Sequence, residues 1–173
     1  MKLLEKKSEI ITERLRLAPL CDASREDIIE IMKDDFVRRT YMVPVLATRE
    51  AEDKLFTALK NATQSDIRIA YAMYVESEIV GFINDVGYEN GTIEVGYFIS
   101  PKHWNRGFCS EALKAVIIEL FRIGFHTVKA GYFEENIASR RVMEKCGMME
   151  TDETEDIEYK GTVHKCRYME IVK

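Results

Sequence analysis

The sequence predicts an α/β (α+β) fold: a mixed, mostly antiparallel sheet with one parallel β-α-β crossover, in the order β-α-α-β-β-β-α-β-α-β-β. Three observations lead there. Between residues 67 and 99, three β-rich runs are separated only by short turns, which suits antiparallel neighbours. Residues 108–123 (FCSEALKAVIIELFRI) form a helix that is apolar over most of its surface and is therefore buried. That helix is flanked by β-rich runs at 92–99 and 126–133, and a strand–helix–strand unit of this kind demands a parallel pair with a right-handed crossover.

The elements follow in order. Residues 10–18 (IITERLRLA) alternate apolar and charged positions and read as a first strand. Asp22 or Ser24 caps a helix running to about Met32. The stretch from Asp34 to Ala47 contains Pro44 and has no clean period, so it reads as a loop. Thr48 opens a second helix to about Asn61, with Glu50 and Glu52 in its first turn. Residues 67–76 and 79–86 are strands separated by Ser77–Glu78. Asn90-Gly91 then supplies the positive φ angles of a type I′ turn before the strand 92–99, which Pro101 ends. After the buried helix and the strand 126–133, Asn136 is a good N-cap and Gly147 a good terminator for a helix ending near Cys146. Two last strands, about 148–158 and 163–171, turn at Lys160–Gly161.

Length and composition bound the rest. With 173 residues, 46% hydrophobic and 32% charged, the chain reads as one domain, 1–173, with a sizeable core; disorder and coiled coil fit poorly. A formal net charge of −5 disfavours nucleic acid as a partner, since nucleic acid is bound by neutralising phosphates. It leaves room for a local basic site for an anionic cofactor. The 4 cysteines, Cys21, Cys109, Cys146 and Cys166, are dispersed and accompanied by only 3 histidines, so no metal site is expected. They read as reduced thiols of a cytoplasmic protein. No signal peptide and no apolar stretch near the ~20 residues of a membrane span stand out.

The first chemical signal is Trp104-Asn105-Arg106-Gly107-Phe108-Cys109-Ser110, between a strand and the buried helix. A helix N-terminus offers unpaired N–H groups and roughly half a positive charge, which suits a pyrophosphate. Gly107 permits close backbone approach, Asn105 tolerates a left-handed conformation, and Arg106 adds a fixed charge. The plain alternative is an ordinary β-α turn with one glycine. A nucleotide P-loop does not fit, because no Gly-Lys-Ser/Thr follows, and the further glycines of a dinucleotide fingerprint are absent.

Gly96-Tyr97-Phe98-Ile99-Ser100-Pro101 followed by Trp104-Asn105-Arg106-Gly107-Phe108-Cys109-Ser110-Glu111-Ala112 resembles the acetyl-CoA motif of the GNAT superfamily of N-acetyltransferases. More narrowly, it resembles the RimJ/RimL-like branch, which contains the ribosomal-protein N-terminal acetyltransferases. Ile11-Thr12-Glu13-Arg14-Leu15-Arg16-Leu17 is similar to that branch's opening strand, Ile93-Glu94-Val95-Gly96-Tyr97 to its fourth strand, and the run from Asn136 to Met148 to its last helix. The weakest stretch is 34–75. The resemblance implies a GNAT-like fold and acetyl-CoA (CoA) as cosubstrate, without a metal. Backbone groups of Phe98, Ile99 and Ser100 would pair with the pantetheine arm like an added strand. Amides from Asn105 to Ser110 would take the pyrophosphate, and Asn136 would bond near the pantetheine end. The chain departs from the family at Asn105, usually Gly, and at Cys109, usually a small residue. Met143 stands where many members carry a tyrosine general acid.

Acetyl transfer to an amine requires deprotonation of the amine, stabilisation of the carbonyl oxygen and management of the leaving thiolate. Alternation puts Thr92, Glu94, Gly96 and Phe98 on one strand face, which the resemblance turns to the acceptor cleft. Glu94 is accordingly the candidate base, acting through a water; the alternative is an ordinary exposed strand glutamate. Ser139 lies one turn after Asn136 on the same helical face and is the candidate partner of the sulfur, chiefly as a hydrogen-bond donor. Its alternative is a first-turn polar residue. The amide of Ile99, freed by splaying of the strands, is the expected oxyanion donor. His103 reads as a solvent-exposed loop histidine, Tyr97 and Tyr132 as core, and Cys109 as too far from the thioester to form an acyl-enzyme.

The acidic run Glu150, Asp152, Glu153, Glu155, Asp156, Glu158 would favour a cationic acceptor, or is simply a solvated hairpin face. Arg38, Arg39 and Tyr41 would instead suit a carboxylate-bearing acceptor. The reading is an N-acetyltransferase acting by direct transfer in a ternary complex on a small-molecule or peptide amine, with the N-terminal α-amine of a protein, such as a ribosomal protein, favoured. Small-molecule amines (antibiotic, polyamine or amino acid) and a catalytically silent acyl-CoA-binding module are the alternatives. A homodimer is common in the family.

Overall fold

The computed structural model describes residues 6–173. Eight strands form one sheet in the order β1-β2-β3-β4-β5-β6-β8-β7. All neighbours are antiparallel except β5 and β6. The strands are β1 (Ile10–Ile11), β2 (Arg16–Ala18), β3 (Ala70–Val75), β4 (Glu78–Glu89), β5 (Thr92–Ile99), β6 (Thr127–Phe133), β7 (Met149–Tyr159) and β8 (Thr162–Val172). The helices are α1 (Arg25–Lys33), α2 (Val37–Thr40), α3 (Arg49–Gln64), α4 (Phe108–Arg122) and α5 (Ile137–Lys145).

Two expectations need correction. Residues 10–18 are not one strand but a tight hairpin, with Ile10 opposite Leu17 and Ile11 opposite Arg16. The turn is held from outside itself: Thr12 Oγ1 donates to Glu111 at 2.6 Å and the Arg14 amide to the same carboxylate at 2.9 Å. The supposed loop 34–47 contains the short helix α2. Smaller shifts occur elsewhere; the β3–β4 turn is Glu76–Ser77, with Glu76 at φ 53°.

The sheet is covered on both faces. One core cluster joins Leu113, Val116 and Leu120 of α4 to Val80, Val95 and Val128 of the sheet. The other joins Ile28 and Met32 of α1 and Phe56 of α3 to Ala72, Phe82 and Phe98. Two-sided burial explains why β3 reads as a continuous apolar run without alternation. Thr48 caps α3 by accepting from the Ala51 amide at 3.2 Å. The hairpin turns at Asn90-Gly91 (φ 50°, 78°) and Lys160-Gly161 (φ 51°, 74°) adopt the positive φ pairs of type I′.

One glycine sets the spacing of the central strands. A Cβ on Gly81 in β4 would stand 2.4 Å from Phe98 O and 3.2 Å from Ile99 Cα, both backbone atoms. Gly81→Ala therefore forces β4 and β5 apart, and a loss of about 1–3 kcal/mol is expected. The urea midpoint should fall accordingly; an unchanged midpoint would contradict this close approach.

Candidate active site

The parallel pair is short. β5 and β6 are laddered only at Thr92–Thr127, Ile93–Val128 and Glu94–Lys129, although both strands run on. Past Glu94 they separate while β6 stays paired with β8 through Phe133. The split opens a cavity of about 380 Å³ that runs from the N-terminus of α4 to that of α5.

Strand geometry decides which backbone groups face this gap. The Ser100 amide donates to Val80 O at 2.8 Å, on the β4 side. Amides alternate along a strand, so Phe98 also turns to β4 while Tyr97 and Ile99 turn to the gap. The Ile99 amide thus faces the cleft, as required of an oxyanion donor. Its carbonyl, on the same edge, accepts the Trp104 indole N–H at 3.2 Å. The added-strand expectation for Phe98 and Ser100 shifts to their neighbours: Phe98 lends its ring to the cavity wall, and Ser100 is buried outside it.

At the α4 end, Asn105 and Gly107 both adopt left-handed backbone, φ 59° and 79°. Gly107 caps α4 without a side-chain hydrogen bond. The amides of Phe108, Cys109 and Ser110 belong to the first helical turn, whose N–H groups have no intrahelical acceptor. Asn105, Gly107, Phe108, Cys109 and Ser110 all line the cavity. Arg106 is exposed outside it, stacked 4.7 Å from the Phe108 ring centroid and 3.1 Å from His103 Nδ1. Contrary to expectation, His103 is buried; its Nε2 lies 3.0 Å from Glu78.

Arg14 is a residue whose part the sequence did not reveal. Its Nη1 donates to Arg106 O at 2.8 Å and its Nε to Glu111 at 2.7 Å, tying the first hairpin to the loop before α4. Burial would raise the Glu111 carboxyl, but hydrogen bonds from Thr12 and Arg14 outweigh it and hold the group below its usual range. The Cys109 thiol is driven strongly upward by burial and by nearby Cys146, so it stays protonated and is a poor nucleophile.

At the α5 end, Asn136 caps the helix, its Oδ1 accepting the Ser139 amide at 3.1 Å. Asn136 and Ser139 line the cavity. Ser139 Oγ is 2.9 Å from the Tyr97 hydroxyl. Tyr97 is therefore not plain core: alternation rightly puts it on the face of Ile93 and Val95, but its hydroxyl reaches the cavity wall. Met143 is fully buried in the core.

Glu94 does not line the cavity. It lies one step along the same strand face from Gly96, which does. A bulge at Val86 of β4 sits opposite it. Burial raises its carboxyl; Lys129 pulls it back, and Glu153 and Glu155 push it up. The acidic run is solvent-exposed, and three of its six carboxylates have side-chain partners. Glu153 pairs with Lys129 at 2.6 Å, Glu155 accepts from Tyr168 at 2.8 Å, and Glu150 accepts from Tyr132 at 3.0 Å.

Above this face the hairpin tip meets the α2 segment. The Tyr159 hydroxyl donates to Arg38 O at 2.9 Å and accepts the Val43 amide at 3.2 Å, and Lys160 Nζ donates to Arg38 O at 3.0 Å. Tyr41 is committed to Asn84 Oδ1 at 2.9 Å and packs edge-on against Phe98. Among the described residues, no group of three or more His, Cys, Asp or Glu is placed to hold a metal, and no helix is long and apolar enough to cross a membrane.

A sheet split that bares a backbone edge beside a helix N-terminus with free N–H groups suits an extended ligand that ends in a diphosphate. The family profile described as an acetyltransferase (GNAT) domain matches residues 14–149, and the chain belongs to the GNAT acetyltransferases. It is 28% identical over 169 residues to the uncharacterized N-acetyltransferase YoaA of Bacillus subtilis (strain 168), covering 94% of this chain and 95% of that protein. Among solved structures, a GNAT-family acetyltransferase from Bacillus anthracis superposes with a TM-score of 0.81 at 25% identity, over 95% of this chain and 98% of that one. RimL, a ribosomal L7/L12 α-N-protein acetyltransferase solved with coenzyme A, shares the fold with a TM-score of 0.83 at 16% identity, over 94% of this chain and 96% of that one. The protein is an acetyl-CoA-dependent N-acetyltransferase.

Proposed function

We propose that the chain acetylates the protonated α-amine at the end of a peptide or protein by direct transfer in a ternary complex. Acetyl-CoA supplies an activated carbonyl and a good leaving thiolate. The first-turn amides of α4 receive its diphosphate, the Tyr97–Ile99 edge aligns its pantetheine, and Asn136 bonds near the far end. Glu94 accepts the ammonium proton through a water. The amine nitrogen then forms the C–N bond while the Ile99 amide steadies the carbonyl oxygen. The C–S bond breaks, the sulfur leaves with the bonding pair as a thiolate that Ser139 meets with a hydrogen bond, and the second proton of the nitrogen passes through water to bulk solvent.

The observation that carries this reading is the cleft-facing edge at Tyr97 and Ile99, ending beside the α4 N-terminus. The acceptor preference rests on two others. Glu94, Glu153 and Glu155 make its surroundings negative, which favours a cation. The Tyr159–Arg38 bridge joins the β7–β8 tip to the segment whose Val37, Thr40 and Tyr41 line the cavity, a closed flank that suits a chain end better than the middle of a chain. A small-molecule amine satisfies both conditions too, and the relative from Aspergillus fumigatus, 26% identical over 148 residues, is named FsC-acetyl coenzyme A-N(2)-transacetylase.

The test is thiol release from acetyl-CoA across N-terminal peptides, peptides with a blocked terminus and an internal lysine, polyamines and amino acids. The proposal expects the largest kcat/KM on free peptide termini. Faster turnover on a small amine would transfer the assignment to that class, and binding without turnover on any amine would remove the proposed transfer.

A further inference from the structure

Ser139 is assigned to the leaving sulfur, but a serine hydroxyl can point its single hydrogen in several directions. It is a help only when that hydrogen faces the cleft. Met143 carries no hydroxyl and is shut in the core, so it does nothing to orient the serine. The hydroxyl 2.9 Å from Ser139 Oγ is that of Tyr97, which also lies 3.3 Å from Ser139 O.

The two contacts describe alternative hydrogen-bond states. When Tyr97 donates to Ser139 O, the serine hydrogen is drawn back onto the phenol oxygen and is lost to the cleft. When Tyr97 donates to Ser139 Oγ, the oxygen's own hydrogen is freed to point away. Resting on the reading that Ser139 faces the leaving sulfur, we propose that Tyr97 is a positioning residue, whose hydroxyl donates to Ser139 Oγ and so aims the serine hydrogen at the sulfur as charge gathers there.

Three features support an orienting role over proton donation. Tyr97 stands on β5, the same rigid strand that carries Ile99, so sulfur partner and oxyanion donor are held in register by one element. The Asn136 cap holds the Ser139 backbone from the other side. Burial also pushes the phenol well above its usual range, with buried Cys109 and Cys146 adding to the shift, so the proton stays on oxygen. A thiolate does not deprotonate such a phenol, but a hydrogen bond passed through serine needs no transfer.

The experiment compares Tyr97→Phe, Ser139→Ala and the double variant, reading kcat, KM for acetyl-CoA and CoA affinity in each. Tyr97→Phe keeps the ring and deletes one oxygen. The expected result is a kcat lowered about tenfold by either single change, with KM and affinity within about twofold, and a double variant no slower than Ser139→Ala alone. The pH profile of Tyr97→Phe should keep the wild-type acid limb, because the buried phenol stays protonated throughout that range. Multiplicative losses in the double variant, or an unchanged kcat for Tyr97→Phe beside a lowered one for Ser139→Ala, would overturn the positioning role alone. An unchanged kcat for Ser139→Ala would overturn it together with the placing of Ser139. A loss in Tyr97→Phe that appears in CoA affinity instead of kcat would mark a packing role and overturn the proposal as well.

Discussion

Glu94→Gln is expected to lower kcat by about 10²-fold or more while CoA affinity stays within about twofold. Glutamine keeps the size of the side chain but cannot take a proton. The pH dependence gives a second readout with a definite sign. Glu94 sits half-buried, and its carboxyl is raised above the ordinary value by burial first and by Glu153 and Glu155 after that, against the pull of Lys129. Only the ionised form accepts a proton. Wild-type kcat/KM should therefore hold above that raised pKa and fall as pH drops through it. The glutamine variant should lose this acid limb. Replacing Lys129, which pulls the carboxyl down, should move the limb to higher pH. Wild-type turnover in Glu94→Gln would remove Glu94 as the base.

Gly107→Val is expected to weaken CoA binding by at least about tenfold. Gly107 sits at φ 79°, where a β-branched side chain is strained by about 1–2 kcal/mol or more. A Cβ there would also stand 3.2 Å from Arg14 Nη2, and Arg14 is the residue that holds Arg106 O and Glu111. The valine thus both strains the loop and presses on its tie. Titration followed by fluorescence is direct, because Trp104 is the 1 tryptophan of the sequence and lies on the cleft wall. A dissociation constant equal to that of the wild type would show that this loop does not approach the diphosphate.

Much of this construction is legible in the residues, because it is local. Gly107 and Asn136 announce the two helix starts that flank the cleft, and Asn90-Gly91 and Lys160-Gly161 announce the hairpins. The apolar surface of 108–122 announces the buried crossover, and with it the parallel pair whose splaying makes the site. What the sequence hid depends on long-range contacts. The first hairpin breaks at Thr12–Arg14 because those residues reach Glu111, 99 and 97 positions away. Nothing in IITERLRLA marks that partner. His103 looks like a loop residue and is buried by Glu78 and Arg106. Tyr97 sits at a core position of an alternating strand; its hydroxyl acquires a partner only when α5 is docked beside β5. The helix α2 lacks an apolar period because it is a single turn held by the Tyr159 bridge. Signals for these were present only as unused polar atoms on otherwise apolar faces, of which the Tyr97 hydroxyl is the most telling.

The most direct measurement is a crystal structure of the protein with coenzyme A. The diphosphate should lie within hydrogen-bond reach of the Phe108, Cys109 and Ser110 amides, the pantetheine along Tyr97 and Ile99, and the sulfur beside Ser139 Oγ on the Glu94 side of the cleft. Coenzyme bound in another place, or a diphosphate turned away from the start of α4, would contradict the account.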